Sequence, residues 1–106
     1  MNKYLLIESR DPFESVDADR WCELAVGLKR AGHEVALFLV QNGVLPARAE
    51  CKTGGLERAL AAGVEVHADE FSLRERGIEA LASGVKTAPI ALVTDRMAAG
   101  WSTVWH

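Results

Sequence analysis

The segment GHEVALFLVQNGV, residues 32–44, decides the fold of this 106-residue chain. Six consecutive apolar residues, 35–40, lie between a glycine and the turn sequence Gln41-Asn42-Gly43. A continuous apolar run with turn signals on both sides predicts a strand that is buried on both faces, as the strands of parallel sheets are. Open α/β sheets bind ligands outside the carboxyl ends of their strands. We therefore expect functional residues directly after this strand and its neighbours.

Segments on both sides of this strand alternate between the patterns of strands and helices. Short β-prone runs occupy residues 4–7, 64–67, 84–87 and 102–105, of which residues 84–87 form the weakest. Apolar stripes with helical spacing occupy residues 18–28 and 56–60, and a glycine follows each of them, at Gly32 and Gly63. Ser15 or Asp17 is a suitable N-cap for the first helix.

Two segments in the second half of the chain allow more than one interpretation. Residues 72–75, SLRE, have capping-box spacing, which predicts a helix that begins at Ser72. Gly77 is expected to break this helix, with residues 78–82 on its second piece. Residues 88–100 have the composition of a strand or of a helix, and a proline near the start and a glycine at the end favour a helix.

This order of elements predicts one α/β domain over residues 1–106. We expect a three-layer sandwich with a mainly parallel central sheet of about five strands, in a flavodoxin-like or Rossmann-like arrangement. No strand is followed by the Gly-rich fingerprint of dinucleotide sites or by a P-loop, so we expect no nucleotide cofactor and assign no other cofactor.

Composition and charge limit the classes of partner. The formal net charge is -3, and no stripe of Lys and Arg is present, so nucleic acid is not an expected partner. The chain has neither a membrane-span pattern nor a secretory signal, because Glu8 interrupts the first apolar run, and a cytoplasmic location is expected. Cys22 and Cys51 have no CxxC spacing and are expected to be free thiols.

Several short motifs share the order and spacing found in one known family. They are LLIESRDPFES at residues 5–15, GHEV at 32–35, NGV at 42–44, GVEV at 63–66, RGI at 76–78 and the short final strand. Over nearly its whole length the chain therefore resembles the DsrE/DsrF-like sulfur-relay family, which includes the TusD-type proteins.

The resemblance implies a DsrE-like α/β sandwich that forms trimers or hexamers and passes sulfur as a cysteine persulfide to a sulfur-carrier protein. It also implies hetero-oligomers with related subunits as an alternative assembly. The reactive cysteine of the family matches Ala68 or Asp69 here, so no cysteine stands at that position. Asp69 and Glu70 would also oppose a thiolate there, because like charges repel.

Cys51 is the only other candidate for a sulfur-carrying catalytic residue. It lies in the loosely patterned segment 41–55, and Arg48 and Lys52 are close enough in sequence to lower the pKa of its thiol, whereas Glu50 would raise it. The alternative is an inert loop cysteine. Cys22 falls on the apolar stripe of the first helix and is expected to be structural.

Polar residues after the first three strands are the candidate ligand-binding residues. His67 and Asp69, with Glu70, could supply acid–base chemistry or bind a metal or small ligand, although their spacing matches no zinc motif. The alternative for the acids is helix capping. Arg10 could hold an anion or form a surface pair with Asp11, and Asn42 could face the same crevice or serve only the turn.

Three functions remain open at this level. The chain is a persulfide relay that uses Cys51, a silent structural or interaction subunit of a DsrE-like oligomer, or a small-ligand or metal-binding module that uses His67. Trp101, Val104 and Trp105 either finish the core or form a subunit interface. We expect no role for His106 beyond its place after the last strand.

Overall fold

The computed structural model, which describes residues 1–51 and 54–106, contains a five-stranded sheet in which every pairing is parallel. In chain order, the elements are β1 (Lys3–Glu8), α1 (Val16–Arg30), β2 (Glu34–Leu39), a 3-10 helix (Gln41–Ala47), α2 (Gly54–Ala61), β3 (Glu65–Asp69), α3 (Glu70–Glu75), β4 (Val85–Ala88), α4 (Ala91–Ala98) and β5 (Ser102–Trp105). The predicted α/β class is confirmed. Within the described ranges, no helix has both the length and the apolar character needed to cross a bilayer.

The strand order is β4-β3-β2-β1-β5, which places β2 at the centre of the sheet. Every residue from 35 to 40 is buried, so the prediction that this apolar run is a central parallel strand is confirmed. Glu8 at the end of β1 pairs in register with Leu39, and Leu39 pairs with Ala68 of β3. The carboxyl ends of these three strands therefore meet at one edge.

The two faces of the sheet are covered unequally. One face packs against α1, α2 and α3, and its core joins residues such as Leu37, Ala25 and Ala59. The other face packs around Phe38 and is covered by α4, which contributes the buried Val93. Because β4 and β5 lie at opposite edges of the sheet, the segment with α4 must cross this second face completely.

The first helix begins and ends as its sequence predicts. The Ser15 hydroxyl accepts the backbone N–H of Asp17 at 3.3 Å, so Ser15 is the N-cap. Gly32 follows the helix with φ of +94°, a conformation that costs least for glycine. Cys22 is buried on the packed face as predicted, and Val26 is buried beside it.

For residues 72–82, the predicted helix over 72–75 is confirmed, whereas its predicted start at Ser72 and its second piece are wrong. The helix α3 begins at Glu70, and its N-cap is Asp69, whose Oδ2 accepts the backbone N–H of Ser72 at 3.0 Å. Ser72 therefore lies inside the helix, because a carboxylate three residues earlier satisfies its N–H. After Gly77 the chain makes no second helical piece. The prediction of a helix within residues 88–100 is confirmed by α4.

Candidate functional site at the carboxyl ends of the strands

Two open clefts lie where the strands end. A polar cleft of about 380 Å³ is lined by Ser9, Arg10, Glu14, Ser15, Gln41 and Asn42. Beside it lies a cleft of about 220 Å³, which we call the aromatic cleft. Its lining consists of the apolar residues Val40, Phe71, Ile90 and Trp105 and the polar residues Gln41, Asp69, Ser72 and Glu75. The two clefts share Gln41, so they are adjacent parts of one rim.

The backbone between the two clefts is held in an unusual conformation. Gln41 has φ of +51°, the only positive φ of a non-glycine residue in the described part of the chain. Its N–H donates to the Ser72 hydroxyl at 2.8 Å, which ties the end of β2 to α3. A side-chain carbon at Gly43 would lie 2.2 Å from the carbonyl oxygen of Glu8. Close backbone packing therefore fixes the rim, and such local strain often accompanies functional sites.

Asp69 is the buried acid of the rim, and it is one of the two residues at which the sequence resemblance places the reactive cysteine. It is 6% exposed, and its Oδ2 accepts both the N–H and the hydroxyl of Ser72, at 3.0 and 2.7 Å. Its Oδ1 is buried and has no hydrogen-bond partner among the residues that the structure describes. Oδ2 of Asp69 therefore has a structural role, whereas its Oδ1 remains free to accept a hydrogen bond.

Asn42 and Arg10, both predicted as ligand-binding residues, do lie on the rim but differ in their surroundings. The Asn42 side-chain oxygen accepts two hydrogen bonds from Arg76, from Nε at 3.2 Å and from Nη2 at 3.1 Å, so its acceptor is already engaged. Arg10 is exposed and lines the polar cleft. The expected Arg10–Asp11 surface pair is absent from the described residues, because Asp11 is buried and accepts the N–H of Phe13.

Glu8, which is buried, and His106, which is partly buried, form a pair that the sequence does not predict. Glu8 is 3% exposed, and its Oε2 lies 2.6 Å from Nδ1 of His106, whose ring stacks on Trp21 with centroids 5.3 Å apart. Burial raises the pKa of Glu8 above its ordinary value, against the opposing effects of His106 and the Arg10 N–H. The pairing of β5 with β1 is the signal that would have brought these two strand-end residues together.

His67 does not join the predicted cluster with Asp69 and Glu70. Its Nε2 lies 2.7 Å from Oε2 of Glu65, and the same carboxylate binds Arg96 of α4. Burial raises the pKa of Glu65, but the hydrogen bonds from His67 and Arg96 outweigh it, so the pKa of Glu65 falls below its ordinary value. Within the described ranges, no three His, Cys, Asp or Glu side chains are grouped to hold a metal ion.

The two cysteines lie away from both clefts. Cys51 is partly buried and lines a separate cavity of about 250 Å³ with mainly apolar residues such as Pro46, Leu56 and Leu60. Lys52, which was expected to lower its pKa, lies outside the described residues. Burial, with a smaller contribution from the Asp19 carboxylate, raises the pKa of Cys22 to about 12. Cys51, His67 and Arg10 therefore do not line one pocket.

Comparison with solved structures identifies the class of fold. The YchN protein from E. coli matches with a TM-score of 0.89 at 20% sequence identity, with both chains covered over 100% of their length. MTH1491 from Methanobacterium thermoautotrophicum, described as a protein of unknown function, matches with a TM-score of 0.79 at 16% identity, again with 100% of both chains covered. The chain thus has a DsrE-like fold. Neither a protein-family model nor a curated protein sequence matches it.

Proposed function

We propose that this protein is a DsrE-like, TusD-related subunit of a cytoplasmic sulfur-trafficking assembly, in which it binds partners or ligands at its strand-end rim and carries no persulfide on either cysteine. The observation that carries the proposal is the buried Asp69 at a position that matches the reactive cysteine of the family. A carboxylate cannot form a persulfide. It can cap a helix and accept hydrogen bonds, and Asp69 does both through Ser72.

The remaining rim residues favour a binding role over a catalytic one. Asn42 and Arg76 hold each other, and Gln41 is tied to Ser72, so the edge of the sheet is preorganised. Preorganised backbone with exposed aromatic side chains is typical of recognition surfaces. Phe71 and Trp105, which line the aromatic cleft, are both 58% exposed. We therefore assign partner or ligand binding to this rim.

A sulfur-labelling experiment tests the proposal. The purified protein is incubated with a cysteine desulfurase and sulfur-labelled cysteine, and protein-bound sulfane sulfur is measured by cyanolysis and intact mass. We expect no transferable label on the wild-type chain, the Cys22→Ser variant or the Cys51→Ser variant. A known persulfide carrier in the same mixture shows that the donor is active. Label on the wild-type chain that disappears in Cys51→Ser contradicts the proposal.

A second candidate function is a persulfide relay through Cys51, and one observation favours it. Cys51 lies at the wall of an open cavity of about 250 Å³, large enough to shelter a persulfide beside Leu56 and Leu60. Its N–H donates to the Arg48 carbonyl oxygen at 3.0 Å, which fixes the backbone at the thiol. In the same experiment this candidate requires label on Cys51 and its onward transfer to a sulfur-carrier protein.

A further inference from the structure

The aromatic cleft combines exposed aromatic walls with a buried carboxylate. Phe71 and Trp105 are each 58% exposed and Ile90 is 55% exposed, although all three are large and apolar. They line the same cleft as Asp69, which is 6% exposed. Aromatic faces attract cations through their quadrupoles, and a carboxylate attracts them by charge. Walls and carboxylate therefore favour the same kind of ligand.

The charges of the lining are one-sided. Asp69 and Glu75 both contribute to the cleft, and its lining residues include no Lys, Arg or His. Arg76 lies beside the cleft residue Glu75, and its donors are engaged elsewhere. Its Nη1 lies 3.8 Å from Glu75 and donates to the Ser72 carbonyl oxygen, and its Nε and Nη2 donate to Asn42. The whole chain carries a formal net charge of -3. The cleft therefore has a deficit of positive charge.

Asp69 supplies the second, independent observation. Its Oδ2 accepts two hydrogen bonds from Ser72, whereas Oδ1 is buried with no partner in the described part of the chain. An unsatisfied buried acceptor raises the free energy of the empty protein, and a donor that reaches it recovers that cost. The most effective donor is a charged N–H, because charge-assisted hydrogen bonds are the stronger ones.

We propose that the aromatic cleft binds an alkylammonium or guanidinium cation, whose N–H groups bond to Asp69 Oδ1 and whose carbon chain lies against Phe71 and Trp105. The cleft volume of about 220 Å³ is below the range of about 300–1,000 Å³ that drug-sized ligands occupy, so it fits a small amine or one Lys or Arg side chain. This inference deepens the proposed function, on which it rests, by naming the chemistry that the rim recognises.

Binding also requires a small movement. Oδ1 is closed to solvent, so a cation reaches it only after the atoms that cover it move. Among the cleft residues, Phe71 and Trp105 can change rotamer at little cost, because more than half of each is already exposed. Binding should therefore change the indole signal of Trp105 as well as the backbone signals around Asp69.

The experiment uses the full chain and two probes of similar size, n-butylammonium and neutral 1-butanol, followed by proton–nitrogen NMR. We expect butylammonium to shift the amide signals of residues 69–72 and the Trp105 indole, with a dissociation constant on the order of millimolar. Butanol should shift them at least about tenfold less effectively, because it lacks the charge-assisted bond. No shift with butylammonium, or equal shifts with both probes, overturns the proposal.

Variants separate this cleft from general charge attraction. Asp69→Asn keeps the shape of the side chain and should weaken butylammonium binding by at least about tenfold. Asp95→Asn is the matched control, because it removes the same charge from the exposed surface of α4 and should leave binding unchanged. If Asp69→Asn fails to fold, Trp105→Leu should weaken binding several-fold. Unchanged binding in the variant of Asp69 or Trp105, or equal loss in Asp95→Asn, overturns the proposal.

The source of the cation is decided by two further probes. A short peptide with one lysine is compared with butylammonium and with the same peptide acetylated at the lysine. Tighter binding of the lysine peptide identifies a protein partner, and tighter binding of butylammonium identifies a free amine; either supports the cation site. Equal binding of the acetylated peptide contradicts it. None of these binding measurements depends on sulfur transfer. A negative result therefore rejects the cation site alone, and the sulfur-labelling experiment tests the proposed function independently.

Discussion

Two glycines differ in whether the structure has room for a side chain. A side-chain carbon at Gly43 would lie 2.2 Å from the Glu8 carbonyl oxygen, whereas one at Gly27, exposed on α1, would meet nothing within 4 Å. Gly43→Ala should therefore lower the free energy of unfolding by about 1–3 kcal/mol, as overpacking does. Gly27→Ala should raise it by about 0.5–1 kcal/mol, because alanine is the better helix former. Urea unfolding followed by circular dichroism measures both changes. Similar shifts in the two variants would mean that the β1–β2 rim is not packed this closely.

The two thiols should differ sharply in reactivity. Burial raises the pKa of Cys22 to about 12, so almost no thiolate exists near pH 8, and its side chain is shielded as well. Cys51 is only partly buried and borders an open cavity. Iodoacetamide on the native protein should therefore label Cys51 and not Cys22, and both should react in denaturant. Peptide mass spectrometry counts the labels. Rapid native labelling of Cys22 would contradict the packed face of α1.

At the residue scale, the sequence predicts which residues lie on the strand-end rim. It does not predict which side chains these residues pair with. Arg10, Asn42 and Asp69 all lie on the expected rim, because carboxyl ends of parallel strands share one edge. His67 shares a face of β3 with both Glu65 and Asp69, and it pairs with Glu65, whereas Asp69 Oδ2 accepts hydrogen bonds from Ser72. His106 meets Glu8 only because β5 pairs with β1, which no local pattern indicates.

At the element scale, Glu65 is the electrostatic link between β3 and α4. It binds His67 beside it and Arg96 on the helix, and these hydrogen bonds lower its pKa in the folded state against the effect of burial. A carboxyl group with a lowered folded pKa stabilises the protein above its unfolded pKa, and this stability is lost as the pH falls through the folded pKa. Glu65→Gln should therefore destabilise the protein at pH 7 by up to about 1 kcal/mol, since the carboxylate is partly exposed.

The pH dependence distinguishes this link from a packing effect. The difference in stability between wild type and Glu65→Gln should be full at pH 7. It should shrink as the pH falls below 4.5, the ordinary pKa of a glutamate, because the wild-type carboxylate then becomes neutral. Thermal unfolding at a series of pH values measures it. Glu34→Gln is the control, because Glu34 and Lys3 form a pair 3.7 Å apart with both side chains about half exposed, and it should change little. A difference that is independent of pH would contradict the electrostatic role.

Local signals predicted most elements, and their errors have a local cause. Ser15 and Gly32 mark the ends of α1 as expected. The spacing of Ser72 to Glu75 fits the capping box and predicts Ser72 as the N-cap, with its N–H bonded to Glu75. In the structure, Asp69 accepts the Ser72 N–H instead. Two overlapping cap signals cannot be ranked from sequence, because the choice depends on where β3 ends. The sequence does not predict the short 3-10 helix after β2 for a different reason, because Pro46 inside it interrupts a helical pattern.

For the whole molecule, the layers were predictable and the strand order was not. A fully apolar run such as residues 35–40 can be buried only between two layers, which requires helices on both faces. The order β4-β3-β2-β1-β5 depends on which strands pair over long distances, and no local pattern in a strand of four to six residues names its partner. Because β5 lies beside β1, the chain from β4 to β5 crosses the second face of the sheet, and α4 is the helix that covers it. The first face is covered by α1, α2 and α3, so the two helical layers differ in size.

The two edges of the sheet lead to a prediction about assembly. The β4 edge carries the exposed Lys86 and Thr87, whose polar side chains discourage edge pairing. The β5 edge carries Val104, which is apolar and 43% exposed, while Trp105 lines the aromatic cleft. An unprotected edge strand with an exposed apolar side chain is a site for association. We therefore expect this protein to self-associate through β5.

Light scattering over a dilution series tests this expectation. The wild type should give a mass that is a multiple of the single chain, and Val104→Glu should shift it to the monomer, because a charge at the edge strand would be buried without a partner. Leu24→Glu is the matched control, since Leu24 is also 43% exposed but lies on α1, and its mass should equal that of the wild type. A wild-type monomer at all concentrations would show that there is no such interface. Dissociation by Leu24→Glu but not by Val104→Glu would show that the interface lies on α1 and not on β5.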